Sequence, residues 1–171
     1  MPIIIIRDNT SLTTCSKSPD NVCIRPDVFF STILACGTEL EIANGEIKRP
    51  GASKCEVDKA RVRVLETAKR HLHLLLKTTS AAHKHVTFDI LIYDCSFEFY
   101  NVRFIYGLYP YEKISWGQLP RLNSSNLVLE HTLCSILTLK HSMLMSVAGE
   151  DTAPITVTDM HLLPTVTYCE Y

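Results

Sequence analysis

Residues 53–78 read SKCEVDKARVRVLETAKRHLHLLLKT, and the reading of the whole chain turns on them. Ser53-Lys54-Cys55-Glu56 is a capping box: the serine hydroxyl takes a free amide of the first turn, and the glutamate reaches back to the serine amide. Asp58 adds negative charge at the positive end of the helix. At about 100° per residue, Val57, Val64, Leu65, Ala68, Leu72, Leu75 and Leu76 share one face. Lys59, Arg63, Glu66, Arg70, His73 and Lys77 share the opposite one. The pattern predicts a long amphipathic helix over 54–78. Arg61 falls in the middle of its apolar face, where it either snorkels or marks an uncovered end that meets a partner.

Upstream, Val28 to Ile42 is rich in β-branched and aromatic residues with both faces largely apolar, which predicts one well-covered strand. Asn44-Gly45 reads as a turn and Arg49-Pro50-Gly51 as a stop. Residues 1–27 open with an isoleucine run and then become polar around Pro19 and Pro26, a short strand or arm followed by a loop. Downstream, 86–93 alternates and 97–106 is again β-rich, so an antiparallel hairpin is expected around Asp94-Cys95-Ser96. Residues 107–125 read as a long connection. Ser125 or Asn126 caps a second helix carrying Leu129, Leu133, Ile136, Leu137, Leu144 and Val147, with Gly149 at its end. Short strands follow at 155–158 and 162–168, interrupted by Pro164. The order β-α-β-β-α-β implies an α+β fold, a split βαβ arrangement with two main helices packed on one face of an antiparallel sheet. Residues 28–171 form a single globular domain behind the 1–27 arm.

The 171 residues are 46% hydrophobic and 20% charged, ordinary globular usage. The apolar run Ile3–Ile6 is too short for a signal peptide or a membrane span, which needs about 20 residues. The chain is expected to stay unsecreted and without a transmembrane segment. Seven cysteines, odd in number and widely spaced, then read as reduced thiols. The net charge of −1 hides an asymmetry: residues 48–84 hold ten Lys and Arg against three Asp and Glu, while the remainder carries −8. A basic segment thus sits on an acidic body.

Catalytic and metal signatures are absent. There is no C-x-x-C. His71 and His73 diverge on a helix, and His83 with His85 lack further ligands nearby, so no metal site is assigned. Phosphate-loop and nucleophile-elbow motifs are missing. Cys55, in the first turn of a basic helix, is the nearest approach to a reactive thiol, and Cys134 with His131 reads as packing. Asp89, Asp94 and Glu98 read as charges edging a sheet. No catalytic residue and no cofactor is assigned, and the chain is read as a non-enzyme.

Two candidate surfaces remain. The basic patch comprises Lys54, Lys59, Arg63, Lys69, Arg70, Lys77 and Lys84, suited to phosphate backbones or anionic headgroups; a Glu66–Arg70 pair would soften it. The second is the aromatic segment with Tyr109, Tyr111, Trp116 and Leu119, read as an exposed self-association or partner loop.

The strand Val28-Phe29-Phe30-Ser31-Thr32-Ile33-Leu34, the long helix after it, and the Phe88–Asp94 stretch followed by a helix and a closing strand together resemble the matrix proteins of rhabdoviruses, particularly the smaller plant-infecting ones. The chain departs from animal-virus members in lacking a lysine-rich N-terminus, and Tyr109-Pro110-Tyr111 does not match their budding motif. The resemblance implies a structural protein of the virion and host cytoplasm that self-associates as a homo-oligomer. It also implies a link between the viral nucleocapsid and the membrane. An alternative is an RNA-binding module such as a viral suppressor of host RNA silencing, its sheet aromatics stacking on bases. A small enzyme using Cys55 or a histidine is the third reading.

Overall fold

The computed structural model describes residues 4–8, 26–33, 39–78 and 86–148, with backbone only at 4–8, 77, 78 and 148. Their order is β1 (Ile4–Asp8), β2 (Val28–Ile33), β3 (Glu39–Lys48), α1 (Lys54–Thr78), β4 (Val86–Tyr93), β5 (Ser96–Arg103), β6 (Tyr111–Gln118) and α2 (Asn126–Ala148). The fold is α+β, and the six strands lie side by side in chain order.

The helix read from residues 53–78 forms with the expected bounds and cap. The Ser53 amide donates to Glu56 Oε2 at 2.7 Å, and the Glu56 amide donates to Ser53 Oγ at 3.3 Å. This helix also decides the topology. Being 25 residues long, it carries the chain back along the sheet, so β3 and β4 pair in parallel while all other neighbours are antiparallel. The sheet is therefore mixed and not purely antiparallel, because a helical crossover of this length delivers the next strand in the same direction.

The two helices lie on opposite sides of the sheet and not on one face as the sequence suggested. Ala60, Val64, Ala68 and Leu72 of α1 are buried in clusters with Leu91 and Val102. Leu139 and Met143 of α2 pack instead with Phe88, Ile90, Phe97 and Phe99. Strand alternation requires this split: Leu91 points one way, Ile90 and Ile92 the other. Each fully buried leucine or phenylalanine stabilises the fold by about 1.5–3 kcal/mol.

Three further expectations are corrected. Residues 28–42 hold parts of two strands, not one, since β2 ends at Ile33 and β3 begins at Glu39. Asn44-Gly45 is no turn but the middle of β3, paired with Asp89 and Ile90 of β4. The buried Asn44 amide is taken up by Asp89, and a Cβ on Gly45 would stand 3.2 Å from the Ile90 Cβ, so tertiary packing overrides local turn chemistry. The connection at 107–125 contains β6, which pairs antiparallel with β5. The hairpin of β4 and β5 forms as read, with Asp94 at φ 52° in its turn. The isoleucine run supplies β1, which pairs with β2. The strands expected at 155–158 and 162–168, and Gly149, lie outside the described residues.

Gly117 of β6 fixes how closely α2 approaches the sheet, because a Cβ there would come within 2.8 Å of the His131 ring and 2.9 Å of Phe97. Gly117→Val is expected to lower stability by about 1–3 kcal/mol through overpacking, read as a lower urea midpoint at unchanged slope.

Candidate binding face

The side of the sheet under α1 is unexpectedly acidic. Glu41, Glu46, Asp89 and Glu98 are all buried there, although Asp89 and Glu98 read from sequence as edge charges. The helix brings a polar partner to three of them. His71 Nε2 lies 3.0 Å from Glu41. Arg63 lies 3.5 Å from Glu46, which Lys48 also approaches at 3.0 Å. Arg61, the apparent misfit on the apolar face, donates from Nε and Nη2 to Glu98 at 2.9 and 3.1 Å. Its Nη1 bridges to Asp58 at 2.6 Å. Arg61 is thus an internal partner and not an uncovered contact.

Glu98 is the centre of this network. Tyr93 and Tyr100 hydroxyls donate to it at 3.0 and 2.5 Å, and Lys113 stands 3.4 Å away. Burial alone would raise its pKa, but the donors from Arg61, Tyr100 and Tyr93 outweigh that and bring it down to about 2. Burial, then the neighbouring Glu98, pushes the Tyr100 hydroxyl above its ordinary value. Asp89 behaves oppositely. It is fully buried, and desolvation raises its pKa well above the usual carboxylate range despite the Asn44 hydrogen bond. Asn44 Oδ1 and Asp89 Oδ2 have no partner among the described residues, and a protonated Asp89 supplies the O–H that such a pair lacks.

This pairing changes the meaning of the basic segment. Arg61 and Arg63 largely neutralise the sheet beneath them. Lys54 and Lys59 stay exposed at the start of the helix, beside a shallow open groove lined by Cys55 and Val62. Lys69 lies over the Tyr109 ring at 4.9 Å, and Arg70 is half-buried. The Glu66–Arg70 pair does not form, and Glu66 Oε2 and Arg70 Nε are buried without hydrogen-bond partners among the described residues. Of Lys77 only the helical backbone is described, and Lys84, His83 and His85 lie outside the described residues.

The aromatic segment is a strand, so its side chains divide between faces. Tyr111 and Trp116 pair across from Val102 and Glu98, and cross-strand partners share a face. Both therefore stand on the α1 side, exposed, in the strip beyond the helix. Tyr109 joins them: its hydroxyl lies 2.7 Å from His73 Nε2, and its ring packs on Phe104. Leu119 does the reverse and packs into the cluster under α2. The fold thus brings the basic helix and three of the four aromatic-segment residues to one side.

The sequence reading missed what lies between them. Ile105 and Leu108 exchange backbone hydrogen bonds at 3.0 Å around Tyr106 and Gly107. Both central residues have positive φ, 50° and 80°, as in a type I′ turn. Tyr106 is 100% exposed and Leu108 is 66% exposed. A tyrosine in the left-handed region is strained by about 1–2 kcal/mol, and here no burial offsets it. Tyr106-Gly107 was the available signal, but the run of β-formers before it read as continuous strand.

Among the described residues no group of three or more metal-ligating side chains is present, and no helix is long and apolar enough to cross a membrane. The free thiols Cys55 and Cys134 are exposed. The chain matched no family model, no curated protein and no solved structure.

Glu98→Ala would strand Arg61 and two tyrosine hydroxyls, and is expected to lower stability by about 3 kcal/mol at neutral pH. Because folding depresses the Glu98 pKa, its contribution is complete above the ordinary value of 4.5 and is lost as pH falls towards about 2. The acid limb of the wild-type stability curve should flatten in this variant. For Asp89 the sign reverses: folding favours its protonated form, so stability declines as pH rises above the ordinary 3.8. Asp89→Asn should raise stability at neutral pH, measured by chemical denaturation from pH 4 to 8.

Proposed function

We propose that the protein is a non-enzymatic, matrix-type assembly protein that self-associates and links a nucleocapsid to an anionic membrane, with its α1 side as the membrane-contacting face. The observation that carries this reading is the strained, wholly exposed Tyr106 at the tip of an apolar turn. Evolutionary tolerance of such strain is easiest where the side chain acts on something outside the fold. Beside the turn runs the basic helix, with Lys69 over the Tyr109 ring and Lys54 and Lys59 exposed at its start. An apolar tip beside a cationic helix suits the boundary between headgroups and acyl chains, where apolar insertion and electrostatic attraction add.

The RNA reading finds less support. Phe97, Phe99 and Tyr100 are buried, so β5 offers no open stacking platform of the kind that reading required. The enzyme reading has for its support only Cys55, which lies in a shallow open groove with Lys54, Asp58 and Lys59.

Flotation with phosphatidylserine vesicles tests the proposal. Wild-type protein is expected to float at low salt and less at high salt. Tyr106→Gly should leave stability unchanged or raise it by up to about 1 kcal/mol, since glycine accepts positive φ, while reducing flotation several-fold. Lys54→Glu/Lys59→Glu should remove much of the salt-sensitive part. Undiminished flotation of a folded Tyr106→Gly protein would contradict the reading.

A further inference from the structure

The α2 helix presents two unlike faces. Thr132, Ser135, Leu139 and Met143 are buried against the sheet. On the outer side Leu127, Leu133, Leu137 and Met145 are each more than half exposed, and Leu129 and Ile136 flank them at 46% and 45%. An exposed apolar strip of this kind is unusual on a protein that stays monomeric.

The arrangement along that strip shows what it fits. Glu130, Leu133, Leu137, Lys140 and Leu144 follow alternating three- and four-residue steps, so they form one seam along the outer face. From Glu130 to Lys140 the spacing is the same from either end while the charges are opposite: an acid, two leucines, a base. Glu130 and Lys140 are both exposed, and neither has an ion-pair partner among the described residues.

We infer that α2 is an isologous dimer interface, pairing antiparallel with α2 of a second copy of this chain about a twofold axis between Leu133 and Leu137. In that arrangement Leu133 meets Leu137 of the second copy, and Glu130 meets its Lys140, twice by symmetry. A parallel pairing would set Glu130 against Glu130 and Lys140 against Lys140, which like-charge repulsion disfavours. An unrelated partner would have no need of a self-complementary seam, whereas a twofold pairing with a second copy uses one. The inference deepens the self-association part of the proposed function and is independent of the membrane contact, since α2 lies on the opposite side of the sheet from α1.

Light scattering of the full chain across a range of concentrations tests it. The wild type is expected to pass from monomer to dimer mass as concentration rises. Leu133→Asp/Leu137→Asp should remain monomeric and folded, since both side chains are exposed in the protomer. Glu130→Lys and Lys140→Glu should each weaken dimerisation about tenfold or more, the two pairs acting together. The double exchange Glu130→Lys/Lys140→Glu should restore it, which a loss of folding would not. A dimer that survives Leu133→Asp/Leu137→Asp would overturn the α2 assignment while leaving self-association through another surface. Failure of the double exchange to restore dimerisation would overturn the antiparallel register. A wild type monomeric at every concentration would overturn both the interface and the self-association reading, and would leave α2 covered by another part of its own chain.

Discussion

A helix that must bring a polar side chain to each of three buried glutamates has little freedom in how it lies. Arg61, Arg63 and His71 reach Glu98, Glu46 and Glu41 respectively, and the three contacts span more than two turns of α1. Sliding the helix along the sheet or rolling it would take Arg61 and Arg63 away from the buried carboxylates they meet, at a cost of several kcal/mol. Such pairs add little net stability compared with apolar packing, but they penalise every alternative register. The position of α1 in turn fixes the parallel crossover from β3 to β4, and with it the side of the sheet left for α2. Asp89 lies on the same side without a cation, held by Asn44 and favoured in its neutral form.

That constraint also explains the charge asymmetry. A basic segment on an acidic body has the composition of an external binding patch, yet much of it is internal complementarity between one helix and the sheet beneath it. What remains for an external partner is smaller: Lys54 and Lys59, exposed at the start of α1. Composition records how many charges there are, and pairing decides how many face outwards.

The legibility of the sequence followed the range of the forces involved. The bounds and cap of α1 were readable because a capping box and helical periodicity act within a few residues. The β4–β5 hairpin was readable for the same reason. Asn44-Gly45 misled because the decisive contacts, to Asp89 and Ile90, lie some 45 residues away in the chain. The strand β6 was hidden by Pro110, Gly117 and Pro120, which read as loop punctuation although Gly117 serves close packing against His131 and Phe97. Arg61 drew notice as a misfit, but its partner Glu98 could not be named without the pairing of strands. Of the candidate sites, Tyr109, Tyr111 and Trp116 fall on one side of the sheet, whereas the turn beside them was not seen. The outer face of α2 was read as ordinary helical periodicity, since sequence alone does not show which of its leucines meet the sheet.

On the proposed reading the molecule has two working sides: a cationic, aromatic side around α1, the Tyr106 turn and β6, and an apolar side formed by α2. The direct test of that division uses Trp116, the only tryptophan in the chain and an exposed residue on the α1 side. Its emission should shift to shorter wavelength on titration with anionic vesicles at low salt, return on raising the salt, and stay constant when protein concentration alone is increased. Vesicle binding that leaves Trp116 emission unchanged, or a shift produced by protein concentration without vesicles, would contradict the assignment of the two sides.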